Sequence, residues 1–372
     1  MRQNVTETVA ILKRALASDF RIMPLYAPDV PVFMAVAWPT ADGVTGHKPR
    51  LPAGRGTTLT QAMLSAGAEA LELRASLAKN HLSSLTGLEP QAGIAMVAAR
   101  DLLSGETVPV PARQVYLDYA AVTGQAPVDE ADSTGCATSL TPQDAIRHAL
   151  FECLERDAVA LWWHGGFPCH AMPIDMIDAE QPRLCWWLTQ RERRTLLLDL
   201  TCDTGVTVVV GVSSEPDGRG VALGSAANVR PSAAALAAIT EMIQTEVAIE
   251  QATEAGDPEV MVWAQHASTQ TMPQFQPSPF GPPKPGHPEL GGAGWGNHDS
   301  GMANILRRLS DLGHRALTID LTLTNDPFPT ARVIVPGLCA MGGRIHVPRF
   351  DRLSARWGSG RHSHGPPGLE PF

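Results

Sequence analysis

Apolar positions along this chain follow two different periods, which predict a mixture of long helices and short strands. Helical spacing predicts one helix from about Leu59 to Lys79, a second from Pro142 to about Trp163, and a third that begins at Pro231. Short apolar runs predict the strands Ile22–Ala27, Val32–Trp38, Ile94–Ala98, Gln114–Tyr116, Leu196–Leu200, Val206–Val212, Ala316–Leu321 and Ala331–Val335. Because these elements alternate without a regular parallel βαβ rhythm, we expect an α+β or mixed α/β fold.

Segments rich in glycine, proline and small polar residues separate the predicted elements. Residues 41–58 and 134–141 are of this kind, and both are predicted to be loops. Thr141 is a natural N-cap for the second long helix, with Pro142 at its first position. Residues 273–288 contain seven prolines, which indicates a long irregular loop.

A spacing of two alanines and two acidic or amide residues occurs once in each long helix. The alanines lie at i and i+4, and the polar residues at i+7 and i+10: Ala62, Ala66, Glu69, Glu72; Ala145, Ala149, Glu152, Glu155; Ala234, Ala238, Glu241, Gln244. The polar face of an amphipathic helix explains one such stripe. Its recurrence favours a shared cation site, because carboxylates gathered away from water need a counter-charge. Oxygen ligands at i and i+3 suit Mg²⁺.

Composition and charge exclude several classes of protein. Hydrophobic residues make up 44% of the 372 residues and charged residues 18%, which is typical of a globular chain. The net charge of −9 and the lack of a basic run argue against binding to nucleic acid or to a membrane surface. Six cysteines without a C-x-x-C pair, and no secretory signal, predict a reduced, cytoplasmic setting.

Three other groups of residues were candidates for chemistry, and each has a more ordinary explanation. The glycine-rich residues 53–58 could present amides and Arg55 to an anion, but a plain loop is the simpler interpretation. His164, Cys169 and His170 lie close in sequence, but their spacing is irregular for a metal site. Cys136 precedes a helix, but no local histidine could activate its thiol, so a structural role is favoured.

Several short motifs, in order along the chain, resemble those of the YcaO family. Residues 152–158, Glu-Cys-Leu-Glu-Arg-Asp-Ala, are similar to that family's E-x-x-E-R-D-A motif. Residues 133–137 resemble its S-N-G-x-A loop, and residues 65–72 its S-A-x-x-E-A-x-E helix. Further similarities lie at Gly54–Gly56, Thr240–Gln244, Asp320–Thr322, Val335–Leu338 and Gly343–Pro348. The chain is therefore identified as a member of this family.

The resemblance implies a fold in which the internally similar helices surround an ATP cleft. It implies one YcaO-like domain over residues 1–355, with its motifs at 53–348, followed by a Gly/His/Pro-rich segment at 356–372. ATP and Mg²⁺ are the implied cofactors. The implied metal ligands are Glu69, Glu72, Glu152 and Glu155. The implied nucleotide site adds Arg55, Ser65, Asp144, Glu241, Gln244 and Arg344.

The implied reaction is ATP-dependent cyclodehydration of Cys, Ser or Thr to azolines in a ribosomally synthesised peptide of the bacteriocin or microcin kind. The implied partners are the precursor peptide, a separate leader-binding protein that resembles an adenylating enzyme, and a flavin dehydrogenase in the same complex. Two alternatives remain open: a thioamide-forming enzyme, and a scaffold with weak nucleotide binding. The scaffold is suggested by Leu73 and Ala237, which stand where the family usually has arginine. Arg74 or Arg55 could compensate for them.

Overall fold

Three long helices form where the alanine-rich repeats lie. The computed structural model describes residues 5–27, 29–42, 44–47, 50–82, 95–278, 298–341 and 347–357, and the three helices are Leu59–Ser76, Pro142–Trp163 and Pro231–Glu254. The first begins at the N-cap Thr58, whose hydroxyl accepts a hydrogen bond from the amide of Gln61. The other two each begin with a proline, whose missing N–H is not needed there.

The α-helices of the described residues are α1 Val5–Ala15, α2 Leu59–Ser76, α3 Tyr119–Thr123, α4 Pro142–Trp163, α5 Pro182–Gln190, α6 Pro231–Glu254, α7 Pro258–His266, α8 His298–Asp311 and α9 Pro348–Trp357. Their strands are β1 Phe20–Leu25, β2 Phe33–Pro39, β3 Ala53–Gly56, β4 Met96–Asp101, β5 Thr107–Pro111, β6 Cys136–Thr138, β7 His170–Met172, β8 Arg194–Asp199, β9 Thr207–Ser214, β10 Ala222–Asn228, β11 Leu317–Asp320 and β12 Thr330–Ile334. Short 3₁₀ turns lie at Ala78–His81, Ala112–Gln114, Ile174–Ile177 and Pro273–Phe275. This mixture of helix and strand confirms the predicted fold class.

The chain divides into two compact units. The first consists of Met1–Cys153 and Arg315–Pro336, and the second of Leu154–His314 and Gly337–Phe372. The division falls inside α4, so Glu152 belongs to the first unit and Glu155 to the second.

The first unit contains two antiparallel sheets. The smaller has the strand order β1-β2-β3, and the larger has the order β5-β4-β11-β12-β6. Helix α2 buries its alanine stripe against β1 and β2, where Ala62, Ala66 and Ala70 share a core with Ala35 and Ala37. A second core, around Ala75, Val110 and Leu317, covers one face of the five-stranded sheet.

The second unit contains one antiparallel sheet, with the order β10-β9-β8-β7. Strand β9 is buried along most of its length because both of its faces are covered. Helix α6 packs on β9 and β10, and Trp162, Trp163, Trp263 and Phe275 fill the core beside the sheet. The predicted hairpin of residues 196–212 is therefore confirmed as β8 and β9.

A network of buried charges joins α9 to the interior of the second unit. Arg349 is only 1% exposed, and its Nη2 lies 2.8 Å from an oxygen of Asp157 and 2.6 Å from an oxygen of Asp203. Asp157 also accepts the amide of Cys339 at 2.8 Å. Burial alone would raise the pKa of Asp203, but the hydrogen bonds and charge of Arg349 outweigh it and hold that pKa below its usual value.

Some local predictions were wrong. Residues 114–116 were expected to form a strand, but Gln114 ends a 3₁₀ turn and the next two residues continue the bend. The predicted loops at 41–58 and 134–141 contain the short strands β3 and β6, which pair with longer strands. Short strands stabilised by their neighbours leave little periodic signal in the sequence. Of the predicted loop at 273–288 and the segment at 356–372, residues 279–288 and 358–372 lie outside the described residues.

Candidate functional site

Three of the predicted metal ligands lie together in the first unit. Glu69 and Glu72 are one turn apart on α2, and Glu152 is on α4; these residues are called the first acid cluster. One oxygen of each carboxylate accepts a backbone N–H at 3.1, 2.8 and 3.1 Å, and the respective donors are Ala53, Thr138 and Gly135. Because each donor belongs to a strand or to the loop before it, the sheets orient all three carboxylates.

The electrostatics of Glu72 show how crowded this cluster is. Burial raises the pKa of Glu72 well above its usual value. The hydrogen bond from the amide of Thr138 works against that shift, while the nearby carboxylates of Glu69 and Glu152 add to it. A bound cation beside Glu72 would favour its ionised form and so oppose this shift of its pKa.

A second group of acids lies in the second unit. Glu155 on α4 and Glu241 on α6 meet at Ser225 of β10 and are called the second acid cluster. The hydroxyl of Ser225 donates to Glu155 at 2.5 Å, and its amide donates to Glu241 at 3.0 Å. Ser225 did not emerge from the sequence, because it lies in a strand outside the repeated helices.

The alanines of the repeat have a packing role: they allow strands to approach the helices closely. A Cβ on Gly54 of β3 would lie 2.1 Å from the backbone nitrogen of Ala66, so only glycine fits there. Likewise a Cβ on Gly224 of β10 would lie 2.5 Å from the carbonyl oxygen of Ala238. These contacts bring the strand residue beside each glycine, Ala53 before Gly54 and Ser225 after Gly224, within hydrogen-bonding distance of its glutamate.

The other predicted nucleotide-site residues are distributed over both units. In the first unit, Ser65 is partly buried on α2, and Arg55 is partly buried on β3. Asp144 lies in the first turn of α4, where it accepts the Thr141 hydroxyl at 2.8 Å and pairs with Arg147 at 2.8 Å. Gln244 is in the second unit, one turn after Glu241 on α6. Arg344 lies outside the described residues.

Two further expectations can be compared with the structure. Arg74, suggested as a substitute for the missing arginine at Leu73, pairs with Asp19 at 2.9 Å and also with Asp326. It is thus held within the first unit, while Leu73 itself is buried in that unit's core. Cys136 is buried, and burial, as the largest cause, raises the pKa of its thiol. This shift favours the structural role expected from the sequence.

The residues present fit Mg²⁺ better than a softer metal. The first acid cluster offers only carboxylate oxygens, which are the ligands of hard cations. Among the described residues, no group of three or more histidine, cysteine or acidic side chains is arranged so that it could hold a metal ion by itself. Mg²⁺ is commonly held by one or two carboxylates together with substrate phosphates, so a cage of protein ligands alone is not needed.

Comparison with protein families identifies the class of protein. Residues 77–339 match the family model described as YcaO cyclodehydratase, ATP- and Mg²⁺-binding. The chain therefore belongs to the YcaO family, whose cofactors are ATP and Mg²⁺. Glu69 and Glu72 lie just before the matched range.

One relative is similar in sequence over part of the chain. An uncharacterised protein of Methanothermobacter thermautotrophicus is 29% identical over 240 residues, which cover 58% of this chain and 61% of that protein. The chain thus spans less than two thirds of this relative's length.

Among the described helices, none is long and apolar enough to cross a membrane.

Solved structures share the fold. A heterocyclase in complex with substrate and cofactor superimposes with a TM-score of 0.80 at 18% identity, over 100% of this chain and 57% of that one. YcaO from Methanopyrus kandleri, bound with AMPPCP and Mg²⁺, gives 0.67 at 19% identity over 91% of both chains. The Escherichia coli microcin synthetase complex McbBCD with pro-MccB17 bound gives 0.60 at 14% identity, over 85% of this chain and 86% of that chain.

Proposed function

We propose that this chain uses ATP and Mg²⁺ to convert Cys, Ser or Thr residues of a ribosomally synthesised peptide into azolines. The observation that carries the proposal is the first acid cluster, in which three carboxylates are gathered and oriented by backbone amides. Glu69, Glu72 and Glu152 in the first unit, and Glu155 in the second, are the proposed magnesium ligands.

Hydrogen bonds within this chain hold the proposed ligands in a fixed orientation in both units. The amides of Ala53, Thr138 and Gly135 each bind one carboxylate oxygen, so the acids need little rearrangement to meet a cation. In the second unit, Ser225 fixes Glu155 and Glu241. Bound Mg²⁺ would neutralise charge on the transferred phosphoryl group.

The proposed reaction removes one water molecule from the peptide at each modified residue. The γ-phosphoryl group of ATP moves to the oxygen of a peptide amide. The neighbouring thiol or hydroxyl then attacks the amide carbon, and phosphate leaves with the former amide oxygen. A thioamide-forming enzyme would instead exchange that oxygen for sulfur, so the mass of a co-expressed precursor peptide distinguishes the two chemistries.

Substitution of the proposed ligands tests the metal–nucleotide site. Glu152→Gln and Glu155→Gln should each lower peptide-dependent ATP consumption by at least about 100-fold, because an amide cannot replace a charged ligand of Mg²⁺. Glu250→Gln on the exposed face of α6 is the matched control and should leave consumption unchanged. Intact consumption in both ligand variants would refute the proposal.

A scaffold with weak nucleotide binding is the second candidate function. Its supporting observation is that Leu73 is buried in the core and Arg74 is paired with Asp19 and Asp326, so neither supplies the cation usual in the family. Calorimetry with ATP and Mg²⁺ separates the candidates. Micromolar binding would contradict the scaffold, and the absence of measurable binding would contradict the enzyme.

We also propose that the peptide is delivered by a partner protein. The heterocyclase chain that shares this fold extends well beyond the region matched here, and the microcin synthetase is a complex of several proteins. A leader-binding protein and a flavin dehydrogenase are the partners we expect. Co-purification of this chain with tagged products of neighbouring genes, with and without the precursor peptide, tests the expectation; modification of the peptide by this chain alone would refute it.

A further inference from the structure

Arg332 is a buried cation in the first unit with few partners. It lies in the middle of β12 and is 3% exposed. Its Nη2 donates to the carbonyl of Asp132 at 2.7 Å. Within the described residues its Nε and Nη1 are buried and have no hydrogen-bond partner. A buried guanidinium that uses so few donors is costly unless nearby negative charge offsets its desolvation.

Strand β6, which pairs with Arg332, links this cation to Asp132 and to the first acid cluster. Arg332 pairs across the sheet with Cys136 of β6, whose thiol lies 4.0 Å from the carbonyl oxygen of Glu72. Strand β6 also carries Thr138, whose amide donates to Glu72, and the Gly135 amide just before β6 donates to Glu152. The strand paired with Arg332 is therefore the one that orients two of the three carboxylates.

Arg332 also forms a hydrogen bond to the loop whose Gly135 amide orients Glu152. That loop, residues 132–135, is bound to β12 by Arg332 at Asp132 and by the amide of Val333, which donates to Gly135 at 2.7 Å. Gly135 has a φ of +77°, and a Cβ there would lie 2.2 Å from the carbonyl oxygen of Val333, so the turn is tightly constrained. Its amide then donates to Glu152 at 3.1 Å.

We infer that Arg332 is a positioning residue of the magnesium site: it anchors the 132–135 loop beneath Glu152 and supplies a fixed positive charge beside the gathered carboxylates. The inference rests on the proposed function, since it assumes that the first acid cluster binds Mg²⁺. The role assigned to Arg332 is positioning and needs no contact with the metal or the nucleotide. Its effect reaches the site through the Gly135 amide and through its charge.

Magnesium dependence of nucleotide binding tests this role. In calorimetry with a non-hydrolysable ATP analogue, Arg332→Met should raise the half-saturating Mg²⁺ concentration about tenfold. Arg332→Lys keeps the charge and should recover most of that loss. Arg100→Met, on an exposed position of β4 in the same sheet, should have no effect. A merely structural role would lower thermal stability in Arg332→Met but would leave the Mg²⁺ dependence of the folded protein unchanged.

A second measurement needs no nucleotide and separates failure of this inference from failure of the proposed function. The described cysteines are all buried, so thiol labelling of the native chain should be slow. Release of the loop in Arg332→Met should accelerate labelling of Cys136, located by peptide mass spectrometry. Unchanged labelling and unchanged Mg²⁺ dependence in a folded Arg332→Met variant would overturn the inference. Absence of Mg²⁺-dependent binding in the unmodified chain would instead overturn the proposed function.

Discussion

Helix α2 in the first unit and helix α6 in the second are built on the same plan. In each, a glycine of a strand packs against the alanine stripe, Gly54 on Ala66 and Gly224 on Ala238. In each, a strand amide beside that glycine donates to a glutamate on the helix at 3.1 or 3.0 Å. The repeated spacing is therefore a repeated strand-on-helix unit, which supports an internal duplication.

The two copies differ one turn further along the helix. In α2 that position is Glu72, whose carboxylate is crowded by Glu69 and Glu152. In α6 it is the neutral Gln244. The shared features are those that packing requires, and the difference lies in charge. The strand-on-helix contact is therefore common to both copies, and the charge of the second polar residue distinguishes them.

Exchange of the second polar residue should have the largest effect on activity. Glu72→Gln makes α2 resemble α6 at this position and should lower kcat/KM for ATP by at least about 100-fold, because a ligand charge is lost. Gln244→Glu makes the opposite change in α6 and should alter kcat/KM much less. Steady-state ATP consumption with peptide measures both. Equal losses in the two variants would show that the copies are functionally equivalent.

Enlargement of the packing glycines should affect both units alike. Gly54→Ala and Gly224→Ala each introduce a Cβ within 2.1–2.2 Å of a helix backbone nitrogen, so each should destabilise the fold. Overpacking of this kind costs about 1–3 kcal/mol. Urea unfolding gives the change, with Gly124→Ala as a reference in open space that measures only the strain of a left-handed residue. Tolerance of one substitution alone would break the structural equivalence of the two copies.

The helix starts offer a smaller test. Thr58 caps α2 with its side chain, whereas the N-cap of α6, Arg230, forms no side-chain capping bond. Thr58→Ala should therefore cost about 1 kcal/mol, and Arg230→Ser should gain about 0.5–1 kcal/mol. Thermal unfolding of each variant checks the pair. A stabilising Thr58→Ala would mean that packing alone determines where α2 begins.

The sequence predicted the long elements well because their burial is periodic. The three long helices and the antiparallel pair Arg194–Asp199 with Thr207–Ser214 lie within a few residues of the prediction. Strands such as Ala53–Gly56 and Cys136–Thr138 were missed because pairing with longer neighbours, rather than their own composition, makes them strands.

The site was predictable in part for a related reason. The acids stood out because they repeat, but whether they bind nucleotide stays a prediction. Ser225, Thr138 and Gly135 contribute backbone amides, and an amide donor has no side-chain signal in a sequence. Arg332 is a single arginine in an apolar strand, and only the register of β12 against β6 brings it beside Cys136.

The buried charges around Arg349 restrict how this chain can change by mutation. Loss of Arg349 alone would leave the buried Asp157 and Asp203 without their counter-charge, at a cost of about 3–5 kcal/mol. Joint replacement of all three by apolar residues of similar volume can be neutral or even stabilising. A single substitution therefore lowers the stability of the fold, whereas the joint replacement of all three residues need not. We expect homologous sequences to keep the three residues together or to lose them together.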